Sequence, residues 1–206
     1  MGLVEKIFGK NLKKQIPLSE FRTVTAYQPV FTSWDGEMYE SQLVRSCIDA
    51  IARNVAKLRV EIQGSARPKL QTKLRHGPNP WQTWSQFMYR TATILYAQNT
   101  VFIVPVFDDF GDVSGIFPLL PSRCEIREYK GTLYLRYQFT DGEMAAIEFN
   151  ECALINRFQY KDDFFGEGNE ALKPTLNLIS MQNQGITEGI KSSATFRFMA
   201  QMTNFS

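Results

Sequence analysis

Residues 78–122 read PNPWQTWSQFMYRTATILYAQNTVFIVPVFDDFGDVSGIFPLLPS, and the fold is decided by them. Pro78-Asn79-Pro80 forces an extended entry, because the residue before each proline is pushed out of the helical region. Thr83 or Ser85 is placed to cap a helix. Phe87, Met88, Thr91, Ile94 and Leu95 recur at helical spacing, which predicts a helix over 84–97 packed on a sheet. Val101 to Phe107 is β-branched and aromatic, a buried strand, and Pro105 inside it points to an edge or a bulge. Asp108 to Asp112 is a turn and Val113 to Leu119 the antiparallel return.

Downstream the strand pattern continues. Glu125 to Glu128 is short. Thr132 to Thr140 alternates, with Leu133, Leu135, Tyr137 and Phe139 on one face and Tyr134, Arg136 and Gln138 on the other. Asp141-Gly142 supplies a hairpin turn in which glycine takes positive φ. Met144 to Phe149 and Cys152 to Phe158 are further strands. The class is α+β, a mostly antiparallel sheet flanked by helices. Lys161 to Asn169 is a loop. Then Leu172, Leu176, Ile179, Asn183, Ile186, Ile190 and Ala194 step by four and three, as in a helix packed along another helix. Gly185 and Gly189 lie inside it, each weakening a helix by roughly 1 kcal/mol relative to Ala. Phe196, Phe198, Met199, Met202 and Phe205 then require cover from the rest of the protein or from neighbouring subunits.

Upstream, residues 1–14 are a basic amphipathic stretch, read as a loose arm rather than a membrane contact. Residues 15–40 are an extended arm with a turn at Trp34–Glu37. Ser41 is a plausible N-cap for a helix whose stripe is Val44, Cys47 or Ile48, Ile51, Val55 and Leu58, with Arg45, Asp49, Arg53 and Lys57 opposite. Arg59 to Gln63 alternates like a short strand, and Leu70 and Leu74 suit a further helical turn.

At 206 residues the chain can hold one good-sized domain or two small ones, and its net charge of +2 is too small to argue for nucleic acid by itself. Cys47, Cys124 and Cys152 are odd in number and in no metal spacing, so they read as core thiols in a reducing compartment. No apolar run approaches the ~18 residues of a membrane span. The amino terminus lacks the apolar core of a signal peptide, and Lys6 breaks the myristoylation pattern. The single histidine, His76, has no nucleophile elbow to serve, and no phosphate-binding glycine loop is present. Asp108-Asp109 and Asp162-Asp163 are the candidate metal ligands, but both pairs sit in predicted turns, where Asp serves local hydrogen bonding. No catalytic constellation and no cofactor motif emerges.

The ordered set of features resembles the portal proteins of tailed double-stranded DNA phages, in the siphovirus-type branch. An amphipathic helix (Ser41 to Leu58) precedes a Pro-Asn segment that leads through aromatic and amide residues to a Phe: Pro78, Asn79, Pro80 and on to Phe87. A long helix ends near Asn99 and a strand. An Asp-rich turn with Gly111 comes next, then the Leu-rich proline pair, Pro118 and Pro121. The strand at 153–158 and the helix from Ala171 fit in order and spacing. Gln98 stands where the family usually has Gly, and Asn156 where a His is frequent, which puts the local backbone geometry at Gln98 in question.

The resemblance implies the amino-terminal half of a non-enzymatic connector: an arm (1–40), a wing-like domain (41–165) and a first stem helix leading towards the clip (166–206). It implies a homo-oligomeric ring, a dodecamer, at one capsid vertex, in the virion and in the host cytoplasm during assembly. Its implied partners are double-stranded DNA in the channel, the terminase large subunit, a head-tail adaptor and the major capsid protein, with no membrane. Lys191 and Arg197 are the channel candidates. They are separated by about 600° of helical rotation, so they do not share one face. The competing readings are a metal-dependent nucleic-acid enzyme using the Asp pairs, and another ring-forming adaptor of a tail or secretion machine.

Overall fold

Thr83 settles where the central helix begins. Its side chain accepts from the Gln86 amide while the Gln86 side chain accepts from the Thr83 amide, a reciprocal cap. The computed structural model describes residues 22–23, 41–65, 67–139 and 142–193. The expected features at 1–14, 15–40 (outside residues 22–23), Asp141, Ala194, Arg197 and the terminal Phe and Met residues lie outside these. The chain divides into two compact units, one ending at Gly168 and one beginning at Asn169.

In the first unit, α1 is Gln42–Val55, α2 is Arg67–Lys73 and α3 is Trp84–Gln98. Ser41 occupies the N-cap position of α1, but its hydroxyl makes no capping bond. Ile48 and Ala52 are the buried residues of α1, so of the two alternatives at 47–48 it is Ile48 that faces inward. Cys47 lies one residue, about 100° of rotation, away and is exposed. It is not a core thiol. Cys124 and Cys152 are also free, the first buried and the second partly so. Burial pushes the Cys124 thiol well up and the Cys152 thiol up to about 12, so neither ionises at neutral pH. Helix α1 ends before Leu58, which is exposed, and Arg59 to Gln63 forms no strand. Among the described residues no strand lies beside it to pair with, so the alternation has nothing there to stabilise it.

Among the described residues there are seven strands; six keep the predicted order, the first is not among those predicted, and they divide between two sheets. They are β1 (Arg22–Thr23), β2 (Thr100–Phe107), β3 (Val113–Leu119), β4 (Cys124–Tyr129), β5 (Thr132–Gln138), β6 (Met144–Glu148) and β7 (Ala153–Asn156). One sheet has the order β1-β4-β5-β6 and the other β3-β2-β7, with every pair antiparallel. The breaks between sheets have a local cause. Pro118 and Pro121 are fully buried at the end of β3, and Pro121 opens a single 3-10 turn before β4. Pro118 still sits opposite Ile103 inside the paired strand, while Pro121, past the strand's end, cannot donate to a ladder, and there the chain turns into the second sheet. A second 3-10 turn, Phe149–Glu151, returns the chain from β6 to β7.

Phe102, Val104, Leu119, Cys124, Ile126, Leu135 and Phe165 form one buried cluster drawn from both sheets and the loop after β7. Pro105 sits where β2 has only β3 beside it, since β7 pairs with Thr100–Ile103 alone, and a bulge occurs at Val106/Phe107. At the β5–β6 hairpin Gly142 takes φ 90°. Arg136, on the face of β5 with Tyr134 and Gln138, is only 4% exposed. Its guanidinium meets the Glu125 carboxylate at 2.5 Å, and Glu125 also holds Arg127 at 2.9 Å. Burial lowers the Arg136 pKa and Glu125 opposes the fall. The ion pair is what makes a buried arginine tolerable.

In the second unit a 3-10 turn at Asn169–Leu172 leads into α4, Lys173–Ser193. Leu172, Leu178, Met181, Ile186 and Ile190 are all exposed. No described helix is long and apolar enough to cross a membrane.

Replacing Thr83 with Ala should lower the stability of the chain by about 1 kcal/mol in urea denaturation, with the slope unchanged, because one cap is lost and the packing stays.

Candidate functional site

The family-motif residues are structural joints, and the geometry shows what each one holds. At the first joint the Pro78 carbonyl accepts from the Ile116 amide at 2.7 Å, which ties the entry of α3 to β3. The Asn79 side chain is 7% exposed. Its Nδ2 donates to the Ile116 carbonyl at 2.9 Å and to Gln82 Oε1 at 3.0 Å, and its Oδ1 accepts from the Trp81 amide at 3.1 Å. Gly77 is required nearby, since a Cβ there would lie 2.2 Å from the Gln82 carbonyl oxygen. Trp84 Nε1 donates to the Leu74 carbonyl, closing the segment after α2 onto α3. Pro80 is exposed, while Phe87 is buried on the inner face of α3.

The second joint lies at the other end of α3. Asn99 is fully buried, with φ 55° in the left-handed region. Its carbonyl accepts from the Arg157 amide at 2.8 Å and its Nδ2 donates to the Glu167 carbonyl at 2.7 Å. A Cβ on Gly166 would lie 2.4 Å from the Asn99 carbonyl oxygen and 2.2 Å from that of Arg157, so only glycine fits. The Gly166 amide donates to Thr100 Oγ1 at 2.7 Å. The departure at Gln98 is thereby resolved. The helix keeps Gln98 in its last turn and assigns the left-handed position to Asn99, the commonest non-glycine residue for that role. Gln98 also reaches Ser122 through both of its side-chain atoms. Asn156 donates to the Phe164 carbonyl at 3.1 Å.

The third joint is the β2–β3 turn. Asp108 Oδ1 accepts from the amides of Phe110 and Asp112, and its Oδ2 receives the Lys73 ammonium at 2.5 Å. Gly111 takes φ 80°. Asp162 does the same work in its own loop, with Oδ1 accepting from the amides of Phe164 and Phe165. The first Asp of each pair, Asp108 and Asp162, is therefore a turn-former. Among the described residues no group of three or more His, Cys, Asp or Glu side chains could hold a metal ion. His76 is exposed beside an open cleft near Asn79. Lys191 is exposed in the last turn of α4.

Residues 42–203 match the family model for phage portal protein. The chain belongs to the phage portal protein family. The portal match begins at Gln42, the first residue of α1, and runs past the end of α4. Solved structures agree in fold. A chain in the virion of the native gene transfer agent (GTA) particle aligns with a TM-score of 0.61 and 16% identity, over 81% of this chain and 47% of that one. A chain in the neck of the empty GTA particle, computed with C6 symmetry, gives 0.55 and 16%, over 88% of this chain and 50% of that one. The neck of the native GTA particle computed with C12 symmetry gives 0.55 and 12%, over 78% and 44%. The chain spans about half the length of these relatives. No curated protein sequence matches significantly.

Asn99→Gly keeps the left-handed backbone but loses the bond to Glu167, and Asn99→Ala loses the bond and adds backbone strain. Chemical denaturation should rank them wild type, Gly, Ala, with Ala costing about 2–4 kcal/mol. The Asp108 pKa is held down chiefly by Lys73; desolvation opposes the shift, and the Asp112 and Phe110 amides add to it. A depressed carboxylate stabilises above its unfolded pKa of about 3.9 and loses that contribution as pH falls through the folded value. Protease nicking of the 108–112 turn should therefore rise as pH drops below about 4, and Asp108→Asn should be nicked readily at every pH.

Proposed function

We propose that the chain is the amino-terminal half of a phage portal protein. Residues 41–165 form its wing-like domain and 166–206 its first stem helix. Copies assemble into a ring, a dodecamer, at one capsid vertex, through which double-stranded DNA enters and leaves. The observation that carries this is the family match over 42–203. Symmetric C6 and C12 necks among its structural relatives support a ring. So does the exposed apolar side of α4, which suits a helix that packs against copies of itself.

On this reading the chain is not an enzyme. The joints at Asn79, Asn99 and Asp108 make a rigid frame, and action comes from the assembly. The terminase large subunit, a head-tail adaptor and the major capsid protein are its partners, with the host cytoplasm as the place of assembly and the virion as the destination. Lys191 is the described channel candidate, and Arg197 stands beside it in the proposal. Either would meet phosphates without reading sequence.

Negative-stain images should show rings with a central opening, and DNA incubated with magnesium should stay intact. Compact monomers that cleave DNA, and that lose cleavage when Asp108, Asp109, Asp162 and Asp163 become Asn, would overturn the proposal. Lys191→Glu should weaken DNA retention by the ring uniformly across sequences and lower the salt-dependence slope by about 1.

A further inference from the structure

Phe110 is 93% exposed, more than any other large apolar side chain among the described residues. It is not on a loose tip. The amides of Phe110 and Asp112 bind Asp108 Oδ1, the Gly111 amide binds the Asp108 carbonyl, and Lys73 and Lys69 of α2 hold the Asp108 and Asp112 carboxylates. A large apolar ring is thus presented to water on a braced hairpin. Beside it Asp109 is exposed, with no cation paired to it among the described residues.

A separate patch on the same unit forms a groove. An open groove of about 580 Å³ runs along the outer side of α3, bounded by Ala56 at the end of α1. Tyr89 and Trp81 supply its apolar wall. Trp81 is 59% exposed and is held in place by tilted packing on Phe117, with ring centroids 5.4 Å apart. The Ser85 hydroxyl binds the Ala56 carbonyl at 2.6 Å, which fixes the width between the two helices. Among the described residues, Arg90 is the one charged side chain lining the groove. Trp, Tyr and Arg are the types that dominate binding energy at protein interfaces. An aromatic ring inserted there buries about 150–250 Å².

We propose that Phe110 of one copy seats in the α3 groove of a second copy, with Asp109 meeting Arg90 at the rim. The inference rests on the ring reading above and gives it a contact. Apolar knob matches apolar groove, and the acidic flank of the knob matches the cationic rim. Phe110 is not part of the groove, so the contact joins two different patches. Each copy then offers a knob to one neighbour and a groove to the other, the head-to-tail geometry that closes into rings.

The test uses the full 206-residue chain with Cys47→Ser, which removes the exposed thiol. Asp109→Cys and Arg90→Cys, combined in one chain and treated with a short bis-maleimide, should give a ladder of dimers, trimers and higher species. A ladder that stops at dimers, or none, overturns the head-to-tail contact. In parallel, Phe110→Ser should raise the concentration needed for assembly at least tenfold while leaving the melting temperature unchanged. Asp109→Arg should impair assembly likewise, and Asp109→Arg with Arg90→Asp should restore it. If Phe110→Ser assembles like the wild type, this contact falls and the ring stands. If the wild type forms no assembly at any concentration, the ring reading falls and this contact with it.

Discussion

The first unit depends on one buried residue in an unusual conformation. Asn99 turns the chain from α3 into β2 through a left-handed backbone step. It does so without access to water, so each of its polar backbone groups must find a protein partner. The Arg157 amide takes its carbonyl, and its side-chain amide takes the Glu167 carbonyl. Gly166 lies so close beneath that no side chain can be admitted. One residue thereby fixes the end of α3, the start of β2, the end of β7 and the loop that delivers Phe165 to the core. Arg157 adds to the same joint by laying its guanidinium 3.8 Å from the centre of the Tyr96 ring.

The rest of the unit extends from this joint. Strand β2 is the middle strand of its sheet and carries Phe102 and Val104 into the shared core. Buried Pro121, just past the end of β3, directs the chain out of that sheet and into the other. Asn79 closes the opposite end of α3 onto β3. Such a unit is stiff because its corners are closed by specific hydrogen bonds and by positions where only glycine or asparagine fits. The Asp-rich turns show this at small scale. Asp108 and Asp162 each hold two backbone amides, and Asp108 a lysine as well, which makes these two carboxylates scaffolding for their turns.

Much of this was legible in the sequence where local rules apply. The span of α3 comes from the Phe87–Ile94 spacing and the Thr83–Gln86 cap, and the β2–β3 hairpin from Asp108 and Gly111. Periodicity could not show contact at long range. The four-stranded and three-stranded sheets have the strands expected of one meander, and only the proline corners, read for their missing donors, mark the division. Alternation places Arg136 on the polar face of β5, but its pairing with Glu125 across strands makes its burial possible, and no pattern within one strand reveals that partner. Arg59 to Gln63 alternates but has no neighbouring strand among the described residues. The Gly166 contact joins residues 66 positions from Thr100, so its necessity is invisible until the fold brings them together. The groove beside Trp81 likewise needs two helices, α1 and α3, that the sequence separates.

The central claim is that this frame acts as one of many copies around an opening. The most direct measurement is a three-dimensional reconstruction of the assembled particle by electron cryomicroscopy. The account predicts a closed ring in which α4 lines the central opening and Lys191 lies at or near its surface. A particle with no central opening, or a ring with α4 at its outer rim, would contradict it.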